Sequence, residues 1–452
     1  MGIALQVFLA LALELPVTAL EGWDAVATAR LTVRVKAMRD AGDPTTLAEL
    51  AARYPDPPEG RNAAVHYNAA FEAMDAHGDL GPARERLLPI VGNAKLPEPN
   101  EELAPAMLAA IRAYVDENAE ALKQLHQAAA LEHCKFDLNF EDGIGMLLPH
   151  LSKLRGAARL LALEAIARTE AGKADEAAAS LRAALRVGNA VRREPVLIST
   201  LVRVACDAIA IEQVSRWASR SRPSPEALRT LEDAVAADRG ERILEMAMVG
   251  ERCFGMDIYR RYVLEGNNRE LLGALGGGPG PGTAVLKLIP KAYFKDDMIC
   301  YIDIMNDYVA ASRKPYPERF MAGVRAGAEV EKRIPRWHFI SRMIVPALGR
   351  VFTVAQQHAA RHDSARVGLA ALRYRAKHGR LPAALADLAP DFVTAVPLDP
   401  FDGKPLRYRR TAGGFIVYAV GENGKDDGGR VEIRDRQKGD VGFRVLWPKA
   451  EF

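Results

Sequence analysis

Along most of the chain, apolar residues recur three and four positions apart, a period that puts them on one face of successive helices. The pattern predicts helices over 63–76, 99–131, 147–170, 174–192, 195–218 and 224–264. A charged helix precedes them from Trp23 to Asp40 and is stopped by Gly42, Asp43 and Pro44. Thr46, with Glu49 three residues on, forms a capping box that opens another helix. Met298–Ser312 and Glu318–Arg333 carry the same period, and an apolar run from Phe339 to Val354 leads into a long helix reaching His378, with a kink expected near Pro346. Two stretches interrupt the pattern. Tyr54-Pro-Asp-Pro-Pro-Glu-Gly60 excludes a helix, and Gly273–Gly282, rich in Gly and Pro, reads as a linker.

Near the end of the chain the period falls from 3.6 to 2. Residues 406–410 and 415–420 alternate around Ala412-Gly413-Gly414, a hairpin signal, after tight turns at Pro397–Pro400 and Phe401–Pro405. The expected fold is mainly α: a helical body, in part tetratricopeptide-like, followed by a small α+β domain with a short antiparallel sheet. The expected divisions are a signal or anchor segment over 1–22, a helical body over 23–270, the linker over 271–283, a helical continuation over 284–345, and the long helix with its α+β module over 346–452. A chain of 452 residues supports two or three such units.

Composition narrows the functional classes. Hydrophobic residues at 49% and charged residues at 26% exclude wholesale disorder and a polytopic membrane protein. A net charge of +3, from 61 basic and 58 acidic side chains, gives no reason to expect a nucleic-acid partner. The apolar run Ile3–Leu13 has the length of a signal-peptide core and is too short to span a bilayer, and the first basic residue is Arg30. It reads as an export or anchor segment attaching the chain to a membrane, or as an amphipathic helix packed on the body. Cys134, Cys206, Cys253 and Cys300 lack metal-ligand spacing, so free buried thiols are expected over a zinc site, and any disulfide pairing stays open.

Candidate chemistry is sparse. His358 and His362, four apart on a helix, share a face and could share a metal, given a third ligand; otherwise they are solvated or interhelical. His126 and His133 pose the same question seven residues apart. Asp303 and Asp307, with Asp296 and Asp297 upstream and Asn306 between, form a carboxylate face that is either a solvated helix surface or an acid/base pair. No nucleophile elbow, phosphate-cradling loop or dinucleotide fingerprint is present. Arg407, Arg409 and Arg410 flank Tyr408 on a predicted strand, where an aromatic belongs to a core more often than to a base-stacking platform.

Two resemblances add to this reading. Leu160–Gly188, two helices around Gly172 with small residues such as Ala177 at close-packing positions, resembles a single tetratricopeptide unit, without a second copy; an ordinary hairpin and a protein-binding groove both remain open. The second rests on the helix end at Tyr374–Gly379, Leu381-Pro382, Pro397-Leu-Asp-Pro400, Phe401-Asp-Gly-Lys-Pro405, Leu406-Arg-Tyr408 and Val417–Gly424. This module resembles the globular domain of type II secretion major pseudopilins, and the whole chain resembles bacterial envelope proteins, without an established reaction, that join such a module to a long helical region. The resemblance implies a calcium ion in the loop after the last matching strand, held by Asn423, Asp426 and Asp427, with Asp435 or Asp440 as further ligands. A Gly-rich loop of carboxylate and amide oxygens suits that hard cation.

The expectation is therefore a non-enzymatic, extracytoplasmic scaffold of the cell envelope that meets protein partners and is linked to type II secretion-like machinery. The alternative is a metal-dependent or carboxylate-based hydrolase with its site between helical body and module.

Overall fold

The computed structural model describes residues 16–76, 78, 80–236, 242–265, 289–345, 348–431 and 439–448. The apolar run Ile3–Leu13, the linker Gly273–Gly282, the kink at Pro346 and Asp435 lie outside them.

Within the described residues there are fifteen α-helices. They are α1 (Val17–Asp40), α2 (Leu47–Ala51), α3 (Ala64–Asp75), α4 (Pro82–Glu85), α5 (Pro105–Glu117), α6 (Ala119–Ala130), α7 (His150–Glu170), α8 (Ala174–Asn189), α9 (Leu197–Arg220), α10 (Pro225–Ala236), α11 (Ile243–Asp257), α12 (Lys291–Ser312), α13 (Glu318–Arg333), α14 (Phe339–Ile344) and α15 (Gly349–His378). A three-stranded antiparallel sheet, β1 (Arg407–Thr411), β2 (Gly414–Ala419) and β3 (Val441–Leu446), runs in the order β1-β2-β3. The chain is mainly helical with a small sheet near its end, as the change of period predicts.

Local chemistry places the boundaries. Thr46 caps α2 by accepting from the Glu49 N–H at 3.1 Å, while Glu49 reaches back one residue further than the box requires, to the Thr45 N–H at 2.6 Å. The helix expected over 99–131 is two. Asn118, nearly fully buried, turns its side-chain amide onto the Tyr114 carbonyl at 2.9 Å, a local bond that competes with the helical ladder and separates α5 from α6. The third strand lies outside the predicted hairpin; in it Val441, Phe443 and Val445 are buried and alternate with half-buried positions.

The hairpin α7–α8 lies at the centre. Fourteen of the 21 residues of α7 are buried, and its exposed positions, Ser152, Arg155 and Arg159, are polar. Leu154, Leu160, Leu161 and Leu163 have no exposed surface, and burial of each stabilises the fold by roughly 1.5–3 kcal/mol. Helices α6, α9 and α10 pack on α8, so the surfaces of this hairpin are covered by the chain's own elements.

Two large apolar clusters result, and α15 enters both. Val351 and Phe352, in its first turn, join Met248, Ile302, Met305 and Tyr308. From Ala360 to Tyr374 the same helix joins Leu154, Leu181, Trp217, Leu231 and the sheet residues Phe415, Val417 and Phe443. Gly368 makes the second contact possible, because a Cβ there would stand 2.3 Å from Phe443 Cδ1. The outer edge of β3 is closed by α9: the Leu446 N–H donates to Ser219 Oγ at 3.0 Å, and Ser215 Oγ donates to the Arg444 carbonyl. Module and body thus share one apolar core.

Candidate metal centre

In the apolar first half of helix α9, Arg203 and Asp207 form a charged pair at i,i+4, and packing buries both side chains, Asp207 to zero exposure. On α15, His358 and His362 take the same spacing and turn their rings toward α9, their centroids 4.2 Å apart. The two helices pack together, which brings residues 151 positions apart in the chain into contact. His358 Nε2 lies 2.8 Å from Asp207 Oδ2 and donates to it. His362 Nε2 lies 3.7 Å from the same oxygen, beyond hydrogen-bond length. Arg203 Nε is 3.9 Å away. One imidazole nitrogen from each histidine and one oxygen of Asp207 all lie within 4.8 Å of one another.

Helix α8 closes the site from a third direction. A Cβ at Gly188 would fall 2.2 Å from Asp207 Oδ1, so only glycine lets α8 approach this carboxylate. Oδ1 itself is buried without a hydrogen-bond partner. Burial by itself raises the Asp207 carboxyl, but the hydrogen bond from His358, the His362 imidazole and the Arg203 charge outweigh it and hold the group well below the usual carboxylate range. Burial, with the neighbouring His362, pushes His358 down to about 3, so at neutral pH the site holds an ionised Asp207 and a neutral His358.

The other candidates are dispersed. Asp303 receives both arms of Arg34 at 2.7 and 2.8 Å, Asp296 receives Trp23 Nε1 at 2.7 Å and Arg30 at 3.0 Å, and Asp307 pairs with Arg333. Asp297 points into the core, accepting from Tyr259 Oη at 2.9 Å and capping α14 through the N–H groups of Ile340 and Ser341, both at 3.2 Å. Asn306 accepts from Arg252 at 2.7 Å. These acids hold helices together and form no shared acid/base site. His126 bonds Glu164 at 2.8 Å, while the His133 backbone carbonyl accepts from the Ala63 N–H at 2.8 Å. Tyr408 packs on Phe415 with ring centroids 6.0 Å apart, and its hydroxyl donates to the Pro382 carbonyl at 3.2 Å. The four cysteines are free, with Cys206 and Cys253 buried.

In the acidic loop, Asp427 Oδ2 accepts from Asn423 Nδ2 at 2.9 Å, but Asp426 turns elsewhere, to Tyr418 Oη at 3.0 Å and the Arg407 guanidinium at 3.4 Å. Arg407 also binds Asp399 and Asp402, each at 2.6 Å. Asp440 accepts the backbone N–H groups of Asp427 at 3.2 Å and Gly429 at 2.6 Å. A calcium ion here would have to displace an internal cation and regather these ligands.

Asp207 escaped the sequence reading. The only signal for it was a charged pair, Arg203 and Asp207, set among the apolar residues Leu201, Val202, Val204 and Ala208–Ile211, and nothing in the spacing tied it to α15. Comparison with protein-family models, with curated proteins and with solved structures finds no match for this chain.

Proposed function

We propose that the protein is a non-enzymatic interaction scaffold of the cell envelope, in which the helical body carries a pseudopilin-like module and α1 offers a surface to a protein partner. The observation that carries this reading is an outward-facing apolar strip on α1 that the helix does not use to attach itself to the body. Its inner face is fixed to α12 by charged contacts: Asp24 with Lys295 at 2.8 Å, Arg30 with Asp296 and Arg34 with Asp303. Its opposite face exposes Val26, 58% accessible, and Val33, 64% accessible, with Ala29 between them. Trp23, Leu31, Val35 and Met38 also pack this inner face on the body core, so Val26, Ala29 and Val33 form a second, outward apolar strip that attachment of the helix does not use. No described helix is long and apolar enough to cross a membrane, so attachment in this reading comes from a protein contact or from the chain before residue 16.

The test is fractionation of native cells with amino-terminal sequencing of the recovered protein. The expected result is recovery with the envelope, and its release to the soluble fraction in a Val26→Glu/Val33→Glu variant of unchanged circular dichroism. Recovery of the wild-type chain as an unprocessed cytosolic protein would overturn the reading. The hydrolase alternative draws on the position of Asp207, His358 and His362 between body and module; against it, the side chains of these residues are 0%, 12% and 4% exposed, which suits a closed structural centre more than one admitting substrate.

A further inference from the structure

We propose that Asp207, His358 and His362 bind a divalent transition-metal ion of the zinc class, clamping α9 of the body to α15, the helix that carries the module. This goes beyond the scaffold reading and does not depend on it.

Hydrogen-bond direction makes the first argument. His362 Nδ1 lies 3.4 Å from the Val235 carbonyl, which accepts from it, and this contact aims the other ring nitrogen, Nε2, at Asp207. Nε2 lies 3.7 Å from Asp207 Oδ2. Both histidine nitrogens thus converge on one buried carboxylate oxygen, and the three ligand atoms lie within 4.8 Å of one another, room for a single ion among them. Donation of the outer ring N–H to a backbone carbonyl is also the usual way in which a ligating histidine is oriented. His358 presents Nε2 to the same oxygen through a proton that a metal would replace.

Spacing and donor type agree. Bonds of about 2.0–2.1 Å in a tetrahedral site place ligand atoms about 3.3 Å apart. The two histidine-to-carboxylate separations here, 2.8 and 3.7 Å, lie on either side of that value. Two imidazoles and one carboxylate select zinc-class ions over calcium or magnesium, which prefer all-oxygen sites. The unpartnered Asp207 Oδ1, held against Gly188, gives the carboxylate a second oxygen inside the same buried site. Water completes the coordination.

Arg203, 3.9 Å from Asp207 Oδ2, opposes this cation. Affinity must therefore come from imidazole coordination more than from net charge, and Arg203→Met should strengthen binding.

The test is titration of the metal-stripped full-length protein with cobalt(II), followed by displacement with zinc(II), with melting temperature measured in parallel. The expected result is one ion per chain, the visible bands of tetrahedral cobalt bleached by zinc, insensitivity to calcium, and a melting temperature raised by about 3 °C or more at saturating zinc. Affinity should fall at least about tenfold in His362→Gln, a variant that keeps the ring's volume closely enough to be checked for folding by circular dichroism. Absence of cobalt bands in the folded wild-type protein overturns the proposal, as does equal affinity in folded His362→Gln. Because the readout is binding to purified protein, its failure is distinct from failure of the envelope reading.

Discussion

Two regions of this molecule gather the side chains that a cation would want, and they differ in how those side chains are satisfied. In the loop 423–427 and at Asp440, every described carboxylate has a partner: Asp426 has Arg407, Tyr418 and the Gly428 N–H, Asp427 has Asn423, and Asp440 has two backbone amides. Arg407 spans Asp399, Asp402 and Asp426 and supplies an internal positive charge. In the buried cluster, Asp207 keeps one oxygen unpartnered, while its other oxygen accepts from His358 at 2.8 Å and lies 3.7 Å from His362 Nε2. A loop can bend until its own backbone donors satisfy its acids. Three packed helices cannot, so what converges between them stays as the packing leaves it.

The sharpest way to break this comparison is to remove one carboxylate from each region. Asp207→Ala strips Arg203 of its buried counter-charge and His358 of its hydrogen-bond acceptor, and should destabilise the metal-free protein by about 3–5 kcal/mol in denaturant unfolding. A loss below about 1 kcal/mol would show that the cluster is not an electrostatic unit. Arg407→Leu is the corresponding blow to the loop. It leaves the fully buried Asp399 without its cation and should cost about 2–3 kcal/mol, part of which added calcium restores. If calcium stabilises wild type and variant equally, the guanidinium does not occupy the place of an ion.

Acid titration gives a smaller effect. Burial, with His362 beside it, pushes His358 down to about 3 in the folded chain, and His358 and Arg203 hold Asp207 low against burial. With both folded values lowered, the unfolded chain takes up more protons in acid. The stability tied to His358 is complete above the ordinary histidine value of about 6.5 and is lost as pH falls toward 3. Thermal melts of metal-free protein should therefore drop between about pH 7 and 4.5, with a shallower slope in His358→Gln; parallel slopes would contradict the assignment. The smallest effect belongs to the loop surface. Asp427→Ala should change stability by less than about 0.5 kcal/mol in the absence of calcium, since only an exposed contact with Asn423 and no buried charge is lost.

How legible each part was in the sequence follows from the same distinction. The helical period marked Glu318–Arg333 at its observed ends and placed α3, α7, α8 and α9 within a few residues, because an apolar stripe is a property of neighbouring positions. Thr46 and Glu49 announced a cap, and Gly413-Gly414 a hairpin, for equally local reasons. The break at Asn118 was harder, since it depends on a side chain competing for its own helix's carbonyl. The strand Val441–Leu446 had a readable alternation that six residues alone make weak.

Of the buried cluster, the sequence by itself determined only that His358 and His362 share a helix face. It could not determine what that face meets. Asp207 was one acid among 58 acidic side chains until α9 packed on α15 and Gly188 let α8 close behind it. Tertiary structure decided equally that Asp303 and Asp307 would hold Arg34 and Arg333, and that Asp426 would turn from Asp427 toward Arg407. Local period and capping chemistry fix elements over a few residues. Which charges meet across 151 residues is set by packing, where burial makes an unmatched group costly enough to matter.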